Sequence, residues 1–235
     1  MKDLFGKAIL DYQTNNSPEN LVTETSISDE DEMSVAYLFR SFTEMPKIEQ
    51  KALKICFGKI LDVGCGAGSH SLYLQNDENL EVHSIDISKN AIKACQLRGL
   101  KNAKFTNVLE LDSNIEKFDT ILLLMNGTGI FGKLSEATKY LKKLKSLLNE
   151  NGQILIDSSD LKYMYDEDDL QEIKNSNQYY GEITFIIKYK KENEIPFPWL
   201  YLDFDLLKNL SNAHGLQCDK VFTGENFDYL AKLYV

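Results

Sequence analysis

The sequence predicts an α/β protein: a doubly wound, mostly parallel seven-stranded sheet that ends in an antiparallel hairpin. Three observations carry this. Short apolar runs alternate with helical periodicity from about residue 45 to 160. A glycine-rich junction, Gly64-Cys65-Gly66-Ala67-Gly68, follows the first of those runs. The tail then reads helix, strand, strand, which breaks the alternation and reverses one strand.

The first run, Ile60-Leu61-Asp62-Val63, reads as a buried parallel strand, and a helix starts at Ser69 with Leu72, Tyr73 and Leu74. Glycines between them allow a tight turn and bring bare N–H groups against a ligand. Glu81 to Asp86 is the second strand. Ser88 caps a helix with Ala91, Ile92 and Cys95 on one face, and Gly99 ends it. Ala103 to Leu111 reads as a third strand and Phe118 to Met125 as a central fourth. A helix from a Ser135 cap to about Asn149 is apolar at Tyr140, Leu141, Leu144, Leu147 and Leu148, with Lys139, Lys142, Lys143 and Lys145 as its solvated face. Asn151-Gly152 turns into the fifth strand, Gln153 to Asp157. Five strands separated by helices imply right-handed crossovers. Asp203 or Asp205 then caps a helix ending at Gly215, and Leu216–Thr223 and Asp228–Val235 form the closing hairpin.

Two segments lie outside that pattern. Residues 1–44 are expected to form a helical cap, including Val35 to Arg40 after the acidic run Asp29-Glu30-Asp31-Glu32. The main domain is expected over 45–235, with an insert at 161–200. The insert carries Tyr163, Tyr165, Tyr179, Tyr180, Phe185, Phe197 and Trp199, a second acidic run, Asp166-Glu167-Asp168-Asp169, and a strand-like stretch from Glu182 to Tyr189. Both acidic runs read as helix-start or solvated-loop carboxylates rather than metal sites.

At 235 residues the chain fits one domain, with room for a modest lid. No apolar run is long enough to span a bilayer, and the opening residues lack the basic-then-apolar layout of a signal peptide. The expected location is cytoplasmic. Cys56, Cys65, Cys95 and Cys218 are scattered, with no C-x-x-C pair, so no zinc, other metal or disulfide is expected. A net charge of −10 and a pI near 4.9 argue against tracking nucleic acid by bulk electrostatics. No feature sets an oligomeric state.

With Asp62 two residues before Gly64, the G-x-G-x-G spacing closely resembles motif I of the class I S-adenosylmethionine-dependent methyltransferases. Asp86 lies about 20 residues beyond the loop, where an acid can accept both ribose hydroxyls of an adenosine. The resemblance spans about 45–160 by motif and 203–235 by element order. It implies S-adenosylmethionine as cofactor and S-adenosylhomocysteine as product. Gly64, Cys65, Gly66 and Gly68 would form the loop against the methionine moiety, which Asp62 would anchor. Asp86 would bind the ribose, and Ile87 would pack on adenine. Asn107 and Val108 stand where the family often has an aspartate for the adenine amino group. Met125 and Asn126 would close the site at the fourth strand. Arg40 would meet the methionine carboxylate, unless it is simply a surface arginine.

Displacement of a methyl group from a sulfonium needs positioning above all, and a base only where the nucleophile must lose a proton early. No catalytic residue follows from that. Asn126 is the candidate, set against a plain turn after a buried strand. The sequence Asn126-Gly127-Thr128 departs from the two prolines and aromatic of methyltransferases acting on nucleobases or glutamine amides. It looks more like small-molecule N- or O-methyltransferases, so a small-molecule substrate is expected. The acceptor wall would draw on Asn126, Thr128, His70 and the insert tyrosines. The insert aromatics either hold an alkylammonium or seal a lid or core. His83 and His214 read as structural. Two alternatives stand: a nicotinamide oxidoreductase, which needs a glycine spacing absent here, and a cofactor-binding module that acts by interaction.

Overall fold

The chain opens with helix α1 (Leu4–Thr14) and a hairpin of β1 (Leu21–Thr25) and β2 (Ser28–Met33). After α2 (Lys47–Lys54) comes the alternation β3 (Lys59–Val63), α3 (Ser69–Asn76), β4 (Glu81–Asp86), α4 (Lys89–Leu97), β5 (Ala103–Phe105), β6 (Phe118–Leu123), α5 (Leu134–Ser146) and β7 (Leu148–Ser159). The insert holds α6 (Glu167–Asn175), β8 (Glu182–Tyr189), β9 (Glu192–Asn193) and β10 (Phe197–Leu200). The chain closes with α7 (Phe204–Ala213), β11 (Gln217–Thr223) and β12 (Asp228–Tyr234). This computed structural model describes residues 2–114, 116–176 and 178–235; Met1, part of the 1–44 cap expectation, lies outside them.

The large sheet has the order β11-β12-β7-β6-β3-β4-β5, with β3 to β7 parallel and β12 antiparallel to both its neighbours. Its middle is apolar on both faces: Ile121, Leu122, Leu123, Ile154, Leu155 and Ile156 are fully buried. Leu141 and Leu144 of α5 pack on one side, Ala52 and Leu53 of α2 on the other. Each of these leucines and isoleucines contributes roughly 1.5–3 kcal/mol by leaving water. Strand order reverses between β3 and β6, so a crevice opens beyond their carboxyl ends.

The N-terminal segment corrects the expectation of a helical cap. Only α1 and two short 3-10 turns, Val35–Phe39 and Phe42–Glu44, are helical. The hairpin joins the insert: β1 pairs antiparallel with β8 (Leu21 with Tyr189, Thr25 with Phe185), giving a second sheet ordered β10-β8-β1-β2 with β9 beside β8. The acidic run Asp29–Glu32 lies in β2, an exposed edge strand, where carboxylates discourage pairing with another chain. The Asp166 run does start a helix: Asp166 accepts from the Asp169 N–H, and Asp169 accepts from the Asp166 N–H.

Three local boundaries also differ. The third strand stops at Phe105 because Asn107 Oδ1 accepts the Leu109 N–H and nucleates a 3-10 turn at Val108–Glu110. Helix α5 starts at Leu134 with Lys133 before it, not at a Ser135 cap. β7 begins at Leu148 and carries an irregularity in register between Phe118 and Thr120 of its partner, near the left-handed Asn151.

α1 docks against the start of α4. A Cβ on Gly6 would stand 1.8 Å from Ser88 Oγ, so only glycine permits this approach. Asp3 Oδ2 accepts from the Asn90 side chain at 2.9 Å. The N-terminus thus lies against the strand-end crevice. Among the described residues no helix is long and apolar enough to cross a membrane.

Candidate active site

At the end of β3 the backbone N–H groups of Gly64 and Cys65 both donate to the Ile85 carbonyl, tying the glycine loop to β4. Gly64, Gly66 and Gly68 all have left-handed backbone (φ +76°, +54° and +82°). The two later glycines are needed differently. A Cβ on Gly68 would stand 2.7 Å from Leu100, whereas one on Gly66 would meet nothing within 4 Å. Gly66 therefore presents bare backbone to open space.

Asp86 braces that loop. Its Oδ2 accepts the Gly66 N–H at 2.9 Å and its Oδ1 the Ser88 N–H at 2.8 Å. Burial pushes its carboxyl up, against the pull of those two hydrogen bonds. The next residue, Ile87, is 55% exposed, although the acid before it is half-buried. Asp62 is buried below the loop and accepts from Ser71 Oγ at 2.6 Å, a bond that ties β3 to α3; burial raises its carboxyl too. Asn107 spends its side-chain oxygen on its own turn, and the Val108 side chain is 3% exposed in the core. Val108 can therefore offer a ligand only backbone.

Beyond β6 the chain makes an unusual turn. Met125 and Asn126 are consecutive non-glycine residues with left-handed backbone (φ +65° and +61°). Asp157, near the end of β7, holds them: Oδ2 accepts the Met125 N–H at 3.1 Å and Oδ1 the Gly127 N–H at 2.8 Å. Burial raises Asp157 to about 6, opposed by the backbone N–H groups of Gly127 and Asn126 and reinforced by the charge of Glu49. Asn126 Oδ1 accepts from Ser158 Oγ at 3.2 Å, while its buried Nδ2 has no partner among the described residues. Thr128 is fully buried, bonded to Ser158 and to the Leu200 carbonyl, and so does not face an acceptor. A Cβ on Gly129 would lie 1.9 Å from the Trp199 ring, which packs flat on this turn.

A charged network forms the other wall. Arg40 is buried, not a surface residue. Its Nη2 donates to Glu49 Oε2 at 2.5 Å and its Nη1 to the Tyr37 carbonyl, while Nε has no partner among the described residues. His70, in the first turn of α3, bonds the same Glu49 oxygen at 2.7 Å. Burial pushes Glu49 up, but His70 and Arg40 together outweigh it and hold the carboxyl below its usual range. Sequence reasoning missed Glu49 and Asp157 as site groups. Glu49 carried a signal: it shares a helix face with Ala52 and Leu53, which are buried. Asp157 carried a weaker one, an acid ending a run of fully buried β7 residues.

Most insert aromatics seal structure. Phe185, Phe197 and Trp199 pack on one another in the second sheet. Tyr179 and Tyr180 both direct their hydroxyls to Asp203. A cavity of about 520 Å³ lies beside them, lined by Asp160, Tyr180, Asp203 and α6. His83 bonds Glu81 and His214 bonds Thr138, both away from the crevice residues.

A family model described as a methyltransferase domain matches residues 58–223. No curated protein matches significantly. Among solved structures, a SAM-dependent methyltransferase from Bacteroides fragilis in complex with S-adenosyl-L-homocysteine is 41% identical, with a TM-score of 0.89 over 100% of this chain and 95% of that one. The CcbJ methyltransferase of Streptomyces caelestis (13% identity, TM-score 0.60, 81% and 90% covered) shares the fold. So does CalS10, an amino pentose methyltransferase from Micromonospora echinaspora (12%, 0.57, 84% and 93%). The nicotinamide reading is thereby set aside. With its glycine loop, its seven-stranded sheet and a 41% identical relative in complex with S-adenosylhomocysteine, the chain belongs to the S-adenosylmethionine-dependent methyltransferases.

Proposed function

We propose that this enzyme methylates a nitrogen or oxygen of a small molecule, in the cytoplasm and without nucleic acid as partner. One observation carries the reading: segments from outside the large sheet reach the rims of the crevice on two sides. The Val35–Phe39 turn is tied to the glycine loop by Ser69 Oγ donating to the Leu38 carbonyl at 2.7 Å, and Trp199 of the second sheet rests on the Gly129 turn. A crevice edged by the chain's own segments favours an acceptor small enough to fit between them.

The residues present fit the cofactor. The open backbone at Gly66, with Asp86 beside it and Ile87 exposed, suits an adenosyl group whose ribose hydroxyls donate to the carboxylate. Each Asp86 oxygen holds one N–H and keeps a second lone pair. Gly64, Cys65 and Gly68 would hold the loop, Asp62 its base, Asn107 and the Val108 backbone the adenine edge, and Met125 and Asn126 the far side. S-adenosylmethionine supplies a methyl group already activated as a sulfonium. The chain's own part is to align donor and acceptor and exclude water. Asn126, with an uncommitted amide N–H, is the candidate to orient the acceptor. Because Glu49 engages the Arg40 guanidinium, we assign Arg40 to fixing Glu49 and His70 rather than to the methionine carboxylate.

Incubation with methyl-labelled S-adenosylmethionine and an extract separated into small-molecule, protein and RNA fractions tests this. Label is expected in the small-molecule fraction; label confined to protein or RNA overturns the acceptor class while leaving the methyltransferase.

A further inference from the structure

We propose that Asp157 is a positioning residue for methyl transfer: its carboxylate staples the strained Met125-Asn126 turn and so shapes the wall between cofactor and acceptor. The inference rests on the cofactor lying at the strand ends, as assigned above.

Left-handed backbone is uncommon for any non-glycine residue, tolerated by asparagine and disfavoured for a long side chain such as methionine. Here two occur in succession. A turn of this kind persists only where its surroundings over-determine it. Asp157 provides that constraint, because one carboxylate takes the N–H of Met125 with one oxygen and that of Gly127 with the other. Asn126, between them, is thereby turned so that its oxygen meets Ser158 while its amide nitrogen stays unpartnered. Met125 is left 37% exposed. No other carboxylate, among the described residues, bonds these N–H groups.

The staple needs both oxygens as acceptors, so it depends on ionisation. A protonated Asp157, or an asparagine in its place, offers one good acceptor to two N–H groups. The groups facing Asp157 are Glu49 from α2 and His70 from α3, with Tyr201 after β10. Glu49 opposes ionisation and His70 favours it. Asp157 titrates near pH 6, so the staple is intact above that pH and lost below it.

The test is the dissociation constant for S-adenosylhomocysteine between pH 5 and 8, in the wild type and in Asp157→Asn. The wild type is expected to bind well at pH 8 and to lose affinity through pH 6. The variant is expected to bind about 10-fold more weakly at pH 8, the scale of one buried N–H left unpaired, with the step near pH 6 gone. Trp199, the chain's one tryptophan, packs on the same turn and reports it by fluorescence. A variant that binds like the wild type at pH 8, or that keeps the step, overturns the proposal. Should the variant not fold, the wild type decides: flat affinity and flat Trp199 emission from pH 8 to 5 overturn it as well. A wild type that does not bind the probe at any pH contradicts the assigned cofactor site instead.

Discussion

Replacing Glu49 by alanine should be among the most damaging single changes outside the apolar core. The magnitude follows from the geometry. The Arg40 and Glu49 side chains are 4% and 5% exposed, and His70, the other partner of the same carboxylate oxygen, is 10% exposed. Arg40 has no second carboxylate among the described residues; its remaining contacts are the Tyr37 carbonyl and the face of the Tyr37 ring, 4.1 Å away. An exposed pair of this kind would be worth about 0–1 kcal/mol. Truncating one partner of a buried pair instead leaves an uncompensated charge, at about 3–5 kcal/mol. Glu49→Gln keeps an acceptor without its charge and should cost about 1.5–3 kcal/mol. The double variant Arg40→Met/Glu49→Leu removes both charges together and should recover most of the loss, since apolar replacement of a whole buried pair is often neutral. Urea unfolding, followed by Trp199 emission and far-ultraviolet circular dichroism, gives all three values. If Glu49→Ala costs less than about 1 kcal/mol, or if the double variant is no more stable than Glu49→Ala, the pair is not coupled as described.

Asp86→Ala should weaken S-adenosylhomocysteine binding by about 1.5–3 kcal/mol, through loss of charge-assisted hydrogen bonds to the Gly66 N–H and the ribose; calorimetry at pH 8 checks this, and unchanged affinity would displace the ribose site. Gly129→Ala places a methyl group 1.9 Å from the Trp199 ring and should cost about 1–3 kcal/mol with a shift in Trp199 emission, both read in one denaturant titration. The folded protein holds the Asp157 proton up to about pH 6, against 3.8 as the ordinary value, so it binds more protons than the unfolded chain across that interval. Stability should therefore fall as pH rises from 4 to 6, by up to about 3 kcal/mol from this group at about 1.36 kcal/mol per pH unit. The fall should be shallower in Asp157→Asn, as thermal midpoints at matched ionic strength would show.

What could be read from the sequence was what each segment does by itself. Ser88 caps its helix as expected, and of the two caps expected for α7, Asp203 and Asp205, it is Asp203; each accepts an N–H three residues on. The glycine loop, the apolar central strands and the closing hairpin announce themselves within windows of about twenty residues or fewer, because their conformations are local demands on φ, on burial and on turn chemistry. β8 was legible too, at Glu182–Tyr189, as a strand without a partner.

The partner was not legible, because β1 lies at the other end of the chain and β2, Ser28-Asp29-Glu30-Asp31-Glu32-Met33, is polar on both faces. Such a strand has no buried side to leave a period-2 pattern. The same reason hid the site's second ring of residues. Asp157 bonds backbone N–H groups, which every residue has, so nothing at positions 125 and 127 marks them as its partners. Arg40 looked exposed because an arginine usually is, and its burial depends on Glu49 arriving on a separate helix. In this chain the residues that would touch the cofactor lie in motifs, while those that fix the shape around it are known only by what they pack against. No motif marks the acceptor side, which is why the methyltransferase reading could be reached from the sequence and the acceptor could not.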